Sequence, residues 1–171
     1  SYEDLTHAQT VFIAGSNMAW AHPILMRRLE DAKRANPEQK WIVVDPRRTE
    51  TAEVADLHLQ ILPGTDVALF NGMAHLLLWE GLADRAYVEA HTQGFDALRD
   101  MVRNCTPALT AQLCGIKEEA LVQAVRWFGK HTPTLSLYCQ GLNQSTSGTD
   151  KNAALINLHL LTGQIGQPGA G

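Results

Sequence analysis

The 171-residue sequence is short of cysteine, of aromatic side chains and of any excess of positive charge, and each shortage excludes a class of protein. Cys105, Cys114 and Cys139 are too few and too far apart for a Cys-x-x-Cys metal site, iron–sulfur ligation or a disulfide framework. Buried, reduced thiols are expected, which suits the cytoplasm. Aromatics make up 6% of the residues and the formal net charge is -4, with no basic stripe interleaved by rings, so a general nucleic-acid binder is excluded. No apolar run approaches the roughly 18 residues that suggest a membrane span, and no signal peptide opens the chain. The seven histidines form no His-x-x-x-His pair; His58, His75 and His159 stand among apolar residues, where packing accounts for them. With Ser1 at its start and a glycine-rich loop over 164–171 at its end, the sequence reads as a piece of a longer chain.

What is present is an α/β pattern organised around one stretch. Thr10 to Ala14 is apolar and β-branched, which predicts a buried strand. Gly15, Ser16 and Asn17 then make a polar turn that tolerates tight backbone, and Pro23 stands where the first turn of a helix accepts a residue without an amide hydrogen. A helix continues from Ile24 to Ala35 and stops at Asn36-Pro37. Trp41 to Asp45 is an almost wholly apolar run, typical of a parallel strand covered on both faces. A right-handed crossover between the two strands brings the 15–17 turn and Asp45 to one sheet edge. There, unpaired amides at a helix start suit a phosphate, and a terminal carboxylate suits ribose hydroxyls.

The pattern repeats along the chain. A polar, partly helical link over 46–56 leads to a third strand over Leu57 to Leu62, broken by Pro63-Gly64. Thr65 is the expected N-cap of a helix from Val67 to Glu80, and Asp66 favours its start. The Asp66 carboxylate also suits guanine, whose two adjacent N–H donors it can accept side by side. Short helices are expected over 84–91, 95–104 and 107–113, followed by an amphipathic helix over 117–131 with Ala120, Leu121, Ala124, Val125 and Phe128 on one face. Leu135 to Cys139 is the fourth strand, and Gln140-Gly141-Leu142-Asn143-Gln144 the turn after it, rich in amides that suit the edge of a heteroaromatic ring. Ser145 to Thr149 reads as a flexible turn, and Asp150 to Thr162 as a helix stopped by Gly163.

In this order, Gly15 to Met18 with His22-Pro23-Ile24, Val44 to Asp56, Pro63 to Asp66, Gln140 to Gln144 and Leu161 to Gly171 resemble the molybdopterin oxidoreductases of the DMSO reductase family. The run Gly141 to Asn152 is most similar to the assimilatory nitrate reductase branch, whose members are cytoplasmic and reduce nitrate to nitrite. Ser147, where periplasmic nitrate reductases tend to carry Arg, favours that branch.

The resemblance implies a Rossmann-like parallel sheet with helices on both faces, with a dinucleotide-binding domain over 1–134 and an adjoining α/β segment over 135–171 carrying a second pterin motif. It implies a molybdenum cofactor of the bis(molybdopterin guanine dinucleotide) type. Gly15, Ser16, Asn17, Met18, His22, Asp45, Arg47, Arg48, Gly64, Thr65 and Asp66 would line the dinucleotide, with Gln140, Gly141 and Gln144 nearer the pterin. The [4Fe-4S] cluster of such enzymes, their molybdenum ligand and their closing C-terminal domain are not recognisable in these residues, so the piece alone is expected to be catalytically inert. Nitrate, the rest of the catalytic subunit and an electron-donor protein are the implied partners. A formate dehydrogenase of the same family, an NAD(P)-linked Rossmann domain and a non-enzymatic scaffold are the alternatives. The turn after the first strand lacks Gly-x-Gly-x-x-Gly, which counts against the nicotinamide reading.

Overall fold

A computed structural model describes residues 1–171. Four strands, β1 (Thr10–Ala14), β2 (Lys40–Val44), β3 (Leu57–Leu59) and β4 (Thr134–Tyr138), form one parallel sheet in the order β3-β2-β1-β4. Strand side chains alternate between faces, and here both faces are apolar. Phe12, Ala14, Ile42, Val44 and Leu59 enter one hydrophobic cluster, while Val11, Ile13, Trp41 and Val43 enter another. Burying both faces needs a helical layer on each side, as the sequence predicts.

On the second face lie α1 (Asp4–His7), α2 (Met18–Ala21), α3 (Pro23–Ala35) and α4 (Glu50–Glu53), through Leu5, Met18, Met26, Leu29 and Ala52. The first face carries α5 (Asp66–Trp79), α6 (Arg85–His91), α7 (Phe95–Val102), α8 (Pro107–Cys114), α9 (Glu118–Lys130), α10 (Gln140–Asn143) and α11 (Gly148–Leu161). In α9 the predicted stripe holds: Leu121, Ala124, Val125 and Phe128 are buried, and Phe12 meets the Phe128 ring edge-on at 5.6 Å. Every residue of β4 pairs with one of β1, so residues 134–138 share the sheet with the residues before them.

Several local expectations need correction. The third strand ends at Leu59 rather than Leu62, because the Leu62 amide is taken by the Cys114 carbonyl at 2.8 Å and Ile61 turns back onto Leu59. The long helix after β1 begins at Pro23 as expected, but an unexpected single turn, α2, lies between it and the polar turn. Thr65 occupies the N-cap position of α5 without capping it, since its hydroxyl donates instead to the Leu62 carbonyl at 2.7 Å. The amide-rich run after β4 is one helical turn, α10, and α11 starts at Gly148, inside the run expected to be flexible.

His159 of α11 is buried as expected, with Nε2 2.6 Å from the Ser136 hydroxyl, but its Nδ1 has no partner. Burial lowers its pKa from 6.5 to about 4. A histidine less basic when folded than when unfolded contributes stability that is whole above the unfolded value and lost as pH falls toward the folded one. Unfolding free energy should therefore drop by up to about 3 kcal/mol between pH 6.5 and 4 on this account. Urea midpoints at pH 7.5 and 4.5 check it; His159→Gln should flatten that part of the slope, and an unchanged slope would refute it.

Candidate functional site

The sheet order places a topological switch point between β1 and β4: the chain steps outward from β1 to β2 and β3, then returns to β4 on β1's other side. Loops after neighbouring strands diverge there and leave a crevice at the carboxyl edge. A cleft of about 720 Å³ occupies this place, within the range of small-molecule sites.

Its floor is a backbone contact between two glycines. The Gly141 amide donates to the Gly15 carbonyl at 3.0 Å. A Cβ on Gly15 would stand 2.7 Å from the Gly141 carbonyl carbon, and a Cβ on Gly141 would stand 2.7 Å from the Gly15 oxygen. Gly15 also has a φ of +57°, in the left-handed region that favours glycine. No protein acceptor meets the amides of Ser16, Asn17 or Met18, so three N–H donors are free along this turn.

Ten of the fourteen residues singled out from the sequence line the cleft: Gly15, Ser16, Asn17, His22, Asp45, Arg47, Gly64, Asp66, Gln140 and Gly141. Asp45 is buried at the end of β2, with one carboxylate oxygen accepting the Arg47 amide at 2.8 Å. The Arg47 guanidinium is 78% exposed and 4.0 Å from that oxygen, too loose a pair to hold it away from a ligand. Asn17 proves to be a brace. Its Nδ2 donates to Glu50 at 3.0 Å and its Oδ1 accepts from Thr51 at 2.9 Å, tying the β1 turn to α4. Hydrogen bonds from its own amide, and then from Asn17, lower the Glu50 pKa.

Met18, Arg48, Thr65 and Gln144 do not line the cleft. Met18 turns its side chain into the core, where it is 2% exposed, so only its amide faces the turn. Thr65 is spent on Leu62.

Sequence reasoning missed Cys139 and Lys151. Cys139 was expected to be buried, but it follows β4 at the open edge, half-buried, with its sulfur 3.8 Å from His22 Nε2. Lys151, in the first turn of α11, forms an ion pair with Asp66 at 2.8 Å, and both side chains are at most 10% exposed. Asp66 itself opens α5, where the helix dipole favours a negative charge. No residue spacing signals this pair, because it forms only when α5 and α11 pack side by side.

A glycine cradle, three free amides, a strand-end carboxylate and a buried carboxylate at a helix start together fit a ligand with phosphates, a sugar and a base. No helix is long and apolar enough to cross a membrane.

Residues 1–171 match the family model described as molybdopterin oxidoreductase. A nitrate reductase of Synechocystis sp. is 48% identical over 170 residues, covering 99% of this chain and 24% of the relative. The F420-dependent formate dehydrogenase subunit alpha of Methanocaldococcus jannaschii is 39% identical over 171 residues, covering 100% of this chain and 25% of the relative. Among solved structures, acetylene hydratase from Pelobacter acetylenicus superposes with a TM-score of 0.81 at 25% identity, over 95% of this chain and 24% of that one. The chain thus spans about a quarter of the length of these relatives.

Proposed function

Because the chain belongs to the molybdopterin oxidoreductase family, whose cofactor is a molybdenum-bound pterin, we propose that its cleft holds one molybdopterin guanine dinucleotide of a bis-type cofactor. The observation that carries this reading is the glycine-floored crevice at the β1/β4 switch point, with carboxylates at its β2 and α5 sides. The Ser16, Asn17 and Met18 amides, with Arg47 nearby, bind the pyrophosphate. Asp45 accepts from the ribose hydroxyls and Asp66 from the guanine N–H groups. Gln140 and Gly141, in the 135–171 segment, face the pterin.

Isothermal titration with GDP, NAD and ADP tests the assignment. GDP should bind in preference to the other two, and Asp66→Ala should abolish the preference; tighter binding of NAD would refute the reading.

For the whole protein, we propose cytoplasmic reduction of nitrate to nitrite, with electrons from a protein donor passing through a [4Fe-4S] cluster outside these residues. When bound, the molybdenum centre supplies the oxygen-atom-transfer chemistry, while the residues of this chain bind and orient it. The 48% identity to a nitrate reductase and the 141–152 run favour nitrate. A formate dehydrogenase is the second reading, supported by 39% identity over the whole chain. Full-length protein should oxidise reduced viologen with nitrate and fail to reduce dye with formate; the reverse result would select the second reading. The 171 residues alone should show no nitrate reduction above a boiled control.

A further inference from the structure

Lys151 is the only Lys or Arg among the buried residues, at 5% exposure, and it lies on the cleft wall. Its position is doubly unfavourable. An ammonium is taken out of water, and it sits in the first turn of α11, at the positive end of that helix's dipole. Its ion pair with Asp66 offsets these costs, but such a pair contributes little net stability compared with an apolar pair of similar volume. Stability therefore does not account for a cation here. The ammonium has three N–H donors, and Asp66 is its sole ion-pair partner.

A carboxylate beside an ammonium is complementary to an edge that offers two donors next to one acceptor. Guanine has that edge: N1–H and N2–H for the carboxylate, O6 for the ammonium. Adenine carries an amino donor where O6 stands, which would face the ammonium donor to donor. We propose that Lys151 is a specificity-determining residue that donates to guanine O6 while Asp66 accepts from the two N–H groups. This inference rests on the guanine-dinucleotide reading above and adds the second half of the base recognition.

The test uses full-length protein prepared without its cofactor, and equilibrium binding of GDP, IDP, ADP and 6-thio-GDP. IDP lacks only the N2 amine read by Asp66; 6-thio-GDP keeps both N–H donors and replaces O6 with a poor acceptor. Wild type should prefer GDP over 6-thio-GDP by roughly tenfold to a hundredfold. Lys151→Met should erase that preference while keeping the preference for GDP over IDP, and Lys151→Arg should restore much of it. Wild type binding GDP and 6-thio-GDP alike would overturn the role of Lys151 without recourse to any variant. So would a Lys151→Met protein that retains the full preference. A wild type with no preference for GDP over ADP would instead refute the guanine reading itself, and this inference with it.

Discussion

Lys151→Met should destabilise the chain by about 3–5 kcal/mol, the cost of leaving a buried charge without its partner. The Asp66 carboxylate, at 10% side-chain exposure, would keep only the α5 dipole in its favour. Asp66→Leu should cost a similar amount, since it strands the Lys151 ammonium. The double variant Asp66→Leu/Lys151→Met should recover most of the loss, because no unpaired charge remains and two apolar side chains fill the space. Urea unfolding of the three variants gives the coupling directly, provided the slope with urea is unchanged. Single losses below about 1 kcal/mol would mean that water screens the pair as it does an exposed one, which would contradict the burial seen here.

Gly15→Ala should be the most damaging small substitution in the cleft. Two costs add. The backbone at φ +57° is strained for any residue with a Cβ, and the new methyl would press on Gly141 backbone atoms at 2.7 Å, which no side-chain rotation relieves. Overpacking of this kind costs about 1–3 kcal/mol, and a left-handed non-glycine about 1–2 kcal/mol more. Gly141→Ala meets the same close approach without the positive φ and should lose the smaller share. Gly64→Ala is the control: φ is +85° but nothing lies within 4 Å of its Cβ, so only backbone strain of roughly 1 kcal/mol applies. Thermal or urea unfolding should rank the losses Gly15, Gly141, Gly64. In full-length protein, the first two substitutions should also lower molybdenum and GMP content, since separating β1 from β4 reshapes the crevice floor. Equal losses at all three positions would show that the glycine contact is incidental.

Much of the architecture was legible because it is written in local pattern. Doubly apolar runs such as 10–14 and 41–44 announce covered parallel strands, and Pro, Gly and Asp at their ends announce turns on one edge. The errors fell where a hydrogen bond outside the regular elements claims a group, from far along the chain at Leu62 and from three residues away at Thr65. Leu62 left its strand for the Cys114 carbonyl, and Thr65 spent its hydroxyl on Leu62 rather than on the helix it precedes. Asn17 has the residue type of a ligand-binding turn, yet its side chain braces α4 and leaves its backbone to the cleft.

By itself, the sequence determined the fold class, the four turns that meet at one sheet edge, and most of the residues that line the cleft. The fold class and the turns follow from hydrophobic periodicity and turn chemistry, which act over a few residues, and from the handedness of strand crossovers. The full set of expected lining residues follows from the resemblance to the molybdopterin oxidoreductases. Only the tertiary structure decided that Gly15 and Gly141 touch, that Lys151 holds Asp66, and that Met18 turns inward. Each of these joins positions remote in sequence or depends on which face of an element the core claims. Packing selects among such pairings through volume and desolvation, and neither leaves a spacing in the chain to be read.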